Sequence, residues 1–379
     1  MRTRVVVTGS LAVVLLVACG TSTDMSPSGA ATDRSSAAPR PAPSSARAAV
    51  VKAPASSTPA TTSPRSAALP AVLATTGGML SVHRAGSDTV VWSVRDAMAA
   101  PDGSVAYTLG GTELVELDVV TGSRVKAWPL PSGAWRVAVV SPTGRWVSLV
   151  DASTQPTATG LAVIDTTRAT TRLVTVSGTV EPEAISVDGT RVFVLHHRPG
   201  HYRVRVVDVA TGQINDVFGR NKSEAEDMTG TAIRAVLNPA GDVLATLYRD
   251  PVGGHPFIHV LHLANGWSYC ADLPRLDYQR IANSADGRTV YVGTVEGPWA
   301  ALDLSAFGQP GLEPLELDLH TTGTPPVPLA EAGTVSVGDL TVTADQTGVT
   351  WWQGRNPVGH VNQSVDRLIG AVTDLATHR

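Results

Sequence analysis

One pattern constrains this chain more than any other. A tight glycine turn recurs five times, each time between two short apolar runs. The turns read Ala100-Pro101-Asp102-Gly103, Ser141-Pro142-Thr143-Gly144, Ser186-Val187-Asp188-Gly189, Asn238-Pro239-Ala240-Gly241 and Ser284-Ala285-Asp286-Gly287. Pro or a small residue opens the turn, Asp or Asn caps it, and Gly supplies the positive φ that closes it. The runs that follow, such as VFVL from Val192 to Leu195 and TVYV from Thr289 to Val292, are β-branched and short, so they predict strands.

A second element follows each turn: LDVVTG from Leu117, IDTTRA from Ile164, VDVATG from Val207, LHLANG from Leu261 and LDLSAF from Leu302. There a strand ends in another tight turn and a further strand departs. Each unit therefore holds four strands joined by hairpins. The turn glycines stand 41, 45, 52 and 46 residues apart. Four antiparallel strands in 40 to 50 residues make a propeller blade. Residues 71–379 divided by the mean spacing give 6.7 units, so seven blades are expected, with six and eight as the neighbouring counts. The segments from Ala71 to Val94 supply three strands of the first blade. A C-terminal segment from Arg367 to Val372 supplies its fourth and closes the ring. A degenerate seventh unit runs from Val335 through VTWWQG, which ends at Gly354. The expected class is all-β, a seven-bladed β-propeller.

The 70 residues before it read differently. Arg2 and Arg4 precede a run from Val5 to Ala18 that is almost wholly apolar. Fourteen helical residues span about 21 Å, short of a ~30 Å bilayer core, so the run predicts a secretory signal over residues 1–18. It ends Leu16-Val17-Ala18-Cys19-Gly20, which resembles the bacterial lipobox. That resemblance implies lipidation of Cys19 and anchorage to the outer side of the cell membrane. Residues 19–70 are mostly Ser, Thr, Ala and Pro, without a single aromatic residue. They cannot bury enough surface to offset their ordering entropy, and they predict a disordered tether.

The paired elements resemble the YVTN-type and WD-repeat-like β-propellers of bacteria, many of them secreted or lipid-anchored. The likeness spans about 300 residues and speaks to fold. The Trp-Asp dipeptide of WD repeats is missing, so that family's partners are not carried over. LDVVTG before Trp128 is similar to quinone-cofactor propellers, but those place the Trp nearer the Gly and the other units lack it. No quinone or other cofactor is expected.

The propeller region carries 22 basic and 31 acidic residues, a net charge of −9. A phosphate backbone needs clustered Lys and Arg, so nucleic acid is excluded as a partner. The longer loops fall on the face opposite the glycine turns, which fold analogy makes the binding face. The first strand of each blade lines the central channel. Arg95 with Asp96, Arg136, Glu181 with Glu183, Arg234 and Arg280 are expected at the starts of those strands. Arg136, Glu183, Arg234 and Arg280, with His197 and Arg249 from neighbouring hairpins, are the candidate ligand-binding residues. A solvated rim of weak ion pairs explains the same charges without a ligand.

Six of the ten histidines cluster at 196, 197, 201, 255, 259 and 262. His259 and His262 have odd separation on a strand and point to opposite faces, so no metal site is expected. The chain has no Gly-x-Ser-x-Gly elbow, His-Glu-x-x-His, Walker loop or Cys-x-x-Cys, and no catalytic residue is assigned. Cys270, on an apolar strand, reads as a buried inert thiol. Two functions stay open. One is a lipid-anchored extracytoplasmic module that binds a protein or cell-envelope ligand without catalysis. The other is a propeller enzyme of the lactonase or lyase kind, with its site at the channel mouth.

Overall fold

The computed structural model describes residues 70–84, 89–153, 157–220, 227–249, 255–275, 277–294, 299–309, 315–322, 330, 333–337, 339–345 and 347–372. The expected signal over residues 1–18, the expected tether up to residue 69 and Cys19 lie outside them.

All the described elements are strands, paired into seven sheets. Blade 1 takes β1 (Ala71–Thr76), β2 (Met79–His83) and β3 (Val90–Arg95). Blade 2 takes β4 (Met98–Ala99), β5 (Ala106–Leu109), β6 (Glu113–Leu117) and β7 (Arg124–Pro129). Blade 3 takes β8 (Trp135–Val140), β9 (Trp146–Asp151), β10 (Ala158–Asp165) and β11 (Thr170–Ser177). Blade 4 takes β12 (Thr179–Ile185), β13 (Arg191–Arg198), β14 (His201–Asp208) and β15 (Ile214–Asp216). A short β16 (Phe218–Gly219) then runs parallel to the outer edge of blade 5. Blade 5 itself is β17 (Thr231–Leu237), β18 (Val243–Arg249), β19 (Phe257–His262) and β20 (Trp267–Asp272). Blade 6 takes β21 (Arg280–Asn283), β22 (Thr289–Gly293), β23 (Trp299–Asp303) and β24 (Leu319–Thr322). Blade 7 takes β25 (Gly333–Val337), β26 (Leu340–Asp345), β27 (Gly348–Gln353) and β28 (Asn356–Val361). The last strand, β29 (Arg367–Val372), pairs antiparallel with β1 and becomes the innermost strand of blade 1. The ring is thus closed by joining the two ends of the domain, as the sequence suggested, and no open inner edge is left.

The turns explain why this sequence folds so. Gly103, Gly144, Gly189, Gly241 and Gly287 all have φ between +69° and +75°. In three of the turns the first residue closes the hairpin: Ser141, Ser186 and Ser284 Oγ each accept the amide five residues on, at 2.9 to 3.1 Å. Asn238 Oδ1 does the same for Val243. In the second motif the Asp is an Asx cap: Asp118, Asp165 and Asp208 accept the amides of Thr121, Arg168 and Thr211. Asp165 is fully buried and also takes a two-pronged contact from Arg145, at 3.1 and 2.7 Å. The Arg145 hydrogen bonds hold its carboxyl below the usual range.

Both faces of a blade pack on neighbours, so the middle strands are largely buried. β19 is buried along its whole length. The outermost strand β11 is largely exposed. Six apolar clusters each bridge two adjacent blades, from Leu80 with Val115 between blades 1 and 2 to Trp351 with Val72 between blades 7 and 1. At the seam of blades 6 and 7 the described residues show only a small cluster, Ala282, Trp299 and Tyr291, all from blade 6.

Candidate functional site at the channel mouth

Innermost strands start on the loop face and end at the glycine turns. The turn end is tightly packed. A Cβ added at Gly241 would lie 2.5 Å from Pro142, which belongs to the turn two blades away, and one at Gly287 would lie 2.8 Å from Pro239. The turns therefore converge over that end of the axis. The candidate residues stand towards the other end, where the strands begin.

Four innermost strands carry a β-bulge that leaves one residue without a partner in the ladder: Ala138 in β8, Glu183 in β12, Ile233 in β17 and Ile369 in β29. A bulge re-aims the side chains around it. Arg136, Glu181 and Arg367 all stand two residues before the bulge, at the mouth of the channel, and all three are exposed.

Arg136 and Glu181, on neighbouring blades, approach to 3.8 Å, and His197 Nε2 lies 3.7 Å from the same carboxylate. His197 beside it, helped by the charge of Arg136, holds the Glu181 carboxyl below its usual range. The structure thus brings together two of the proposed residues, Arg136 and His197, through a third group, Glu181.

Glu183 is different. It fills a bulge position that holds Ala or Ile in the other three blades, so it faces the seam between blades 4 and 5. Its Oε1 accepts hydrogen bonds from the Thr246 hydroxyl at 3.1 Å and the Tyr248 hydroxyl at 3.3 Å. Its Oε2 is shielded and has no partner among the described residues. Burial raises its pKa to about 7. Tyr202 packs 5.9 Å from Tyr248, which in turn meets His259 edge-on at 6.5 Å. Burial lowers the pKa of His259 to about 4, and its Nδ1 also lacks a partner among the described residues.

Arg234 is half-buried, and its Nη2 donates to the carbonyl of Asp366 at 3.2 Å. That bond links blade 5 to the segment leading into blade 1. Arg280 begins β21 opposite Gly293. Burial pushes the Asp345 carboxyl up. Hydrogen bonds from Thr347 and Gly348, with the charge of Arg280, outweigh that and bring it below its usual range. Arg249 is exposed at the end of β18, across from Thr231.

Arg95 and Asp96 are not where the sequence put them. Arg95 ends the outermost strand β3, paired with Met79, and Asp96 sits in the following turn at φ 54°. The innermost strand of blade 2 begins only at Met98. The link between blades 1 and 2 is so short that the end of one strand reads as the start of the next.

The six clustered histidines are dispersed. His201 meets Asp227 at 3.3 Å, and His255 Nδ1 donates to the Leu273 carbonyl at 3.1 Å. His259 and His262 are buried on opposite faces of β19, the latter against Trp267 and Phe307. Among the described residues no group of three or more His, Cys, Asp or Glu is placed to hold a metal ion. An open recess of about 440 Å³, lined by His255, Asp272 and His320 among others, lies between blades 5 and 6, apart from the channel residues. Cys270 is half-buried on β20, paired with His259.

Sequence reasoning missed Arg367, Thr246 and Tyr248. Arg367-Leu368-Ile369 opens a strand as Arg136-Val137-Ala138 does, and that parallel was the available signal. Nothing local marks Thr246 or Tyr248, which matter only because Glu183 is turned onto them.

Strand pairing defines the class: a seven-bladed β-propeller. No family model and no curated protein matches the chain. Similar solved structures include hydrazine synthase from Kuenenia stuttgartiensis, at 15% identity and TM-score 0.44, covering 79% of this chain and 99% of that one. A functionally unknown protein from Desulfotomaculum acetoxidans is 13% identical with TM-score 0.47, covering 80% and 98%. The β-propeller domain of Cps50 (Swd1) from Myceliophteria thermophila is 11% identical with TM-score 0.41, covering 71% and 85%. At these scores the likenesses carry no argument about function.

Proposed function

We propose that this chain is a lipid-anchored, extracytoplasmic propeller of the YVTN-like kind that binds a protein or cell-envelope ligand at the loop-face mouth of its channel. One observation carries the reading. Arg136, Glu181, Arg280 and Arg367 stand at or near the starts of innermost strands in four blades, and Arg234, in the middle of β17, reaches the Asp366 carbonyl before β29, while the other ends of the strands meet packed glycine turns. Leu16-Val17-Ala18-Cys19 supports the anchor, and the Ser/Pro-rich stretch supports a spacer from the membrane.

Two experiments test this. Cys19→Ala should move the protein from the membrane fraction to the soluble one, or leave its signal uncleaved. Fatty-acid labelling that survives Cys19→Ala contradicts the anchor. Arg234→Ala should weaken capture of the envelope ligand at least tenfold while the β-sheet circular dichroism of the fold is retained. Unchanged affinity removes Arg234 from the site.

The enzyme reading keeps one supporting observation: Glu183, a shielded carboxyl with a pKa of about 7 beside the Tyr248 hydroxyl. Such a group is suited to proton transfer at neutral pH. Turnover of a lactone or an acidic saccharide, lost in Glu183→Gln, would favour it.

A further inference from the structure

Arg367 opens the strand that closes the ring and holds the same place before its bulge as Arg136 and Glu181. Those two answer each other's charge. Arg367 has no counter-charge: no acceptor among the described residues contacts its guanidinium, and burial alone shifts its pKa, downward. The adjacent carboxylate is committed elsewhere, since Asp366 Oδ2 accepts the Gly77 amide at 2.6 Å. The Asp366 carbonyl, in turn, takes the hydrogen bond from Arg234. Arg234, from blade 5, thus reaches the residue next to Arg367 in the closing segment.

Arg367 is exposed at the start of the closing strand. A guanidinium keeps its charge there, and with no protein acceptor among the described residues its donors are open to a ligand. Its planar fork matches a carboxylate or a phosphate. We infer that Arg367, with Arg234 beside it, is an oxyanion site in the channel that takes a carboxylate or phosphate group of the ligand. The inference rests on the channel-mouth reading and adds the ligand's chemistry. It also ties the ligand to closure, because the anion would rest on β29.

Calorimetric titration of the mature full chain at low ionic strength tests it, with inorganic phosphate and malonate as probes and chloride matched throughout. The wild type should bind one equivalent of phosphate, malonate or both, and which one binds assigns the group. Arg367→Gln should lose at least tenfold in affinity, and Arg367→Lys should keep part of it. Arg172→Gln, an exposed arginine on the outermost strand of blade 3, should change affinity less than twofold. If Arg367→Gln does not fold, Arg234→Gln should show the loss instead. Failure of both probes to bind the wild type, or binding that survives the Arg367 and Arg234 variants, overturns the inference. Ligand capture that still depends on Arg234 while neither probe binds would leave the channel-mouth reading intact and remove only the oxyanion.

Discussion

At the residue scale, Glu183 and His259 sit in one seam and pull stability in opposite directions with pH. The Glu183 carboxyl has an ordinary pKa of 4.5 and a folded value of about 7. Between these the folded state holds a proton that the unfolded chain has released. Stability is therefore full below pH 4.5 and falls as pH rises through 7, by about 3 kcal/mol at most. His259 goes from an ordinary 6.5 to about 4 in the fold. Between those values only the unfolded chain binds the proton, so stability rises with pH across that window. In the wild type the two slopes largely offset each other. Removing one should expose the other. The melting temperature of Glu183→Gln, measured relative to wild type, should climb from pH 5 to pH 7.5. That of His259→Gln should decline from pH 4.5 to pH 6.5. A difference that stays flat with pH for Glu183→Gln would show that the carboxyl is not held protonated.

At the element scale, the glycine turns are joints between blades as well as ends of hairpins. A Cβ at Gly189 would meet the Trp146 ring at 2.0 Å, and φ there is +69°. At Gly266 φ is also +69°, but nothing lies within 4 Å. Gly266→Ala should therefore cost only the backbone strain, about 1 kcal/mol. Gly189→Val and Gly241→Val should each cost at least about 2 kcal/mol, because clash and β-branching add to it. Thermal melts read the order, and equal losses for Gly189→Val and Gly266→Ala would contradict the packing. These turns were legible in the sequence because their signals are local: a Gly for φ, a Ser or Asn for the closing hydrogen bond, an Asp for the cap. The bulges were not. One extra residue in an innermost strand leaves no compositional mark, yet it turns Glu183 from the channel rim into the seam. The short link at Arg95 hid the strand order for the same reason.

At the scale of the whole molecule, the ring depends on a strand that arrives last in the chain. β29 covers the inner edge of β1 and carries Leu368 into the seam with blade 7. Deleting residues 364–379 should expose that edge, lower the melting temperature by more than 10 °C and promote aggregation. A peptide of those residues added in trans should restore part of the loss, and a truncated domain that melts like the intact one would contradict closure. The seven-fold count and the closing strand could be read from repeat spacing and from two orphan segments at the ends. Arg367 escaped notice because that segment was read for its pairing and not for its charge. The central claim is that one face of this ring does the binding. It is tested most directly by photo-crosslinking in cells, with the probe at Arg249 on the loop face or at Val187, exposed in a glycine turn on the other. The account predicts a crosslinked product from position 249 and none from position 187. A product from position 187 alone would place the ligand on the wrong face and contradict it.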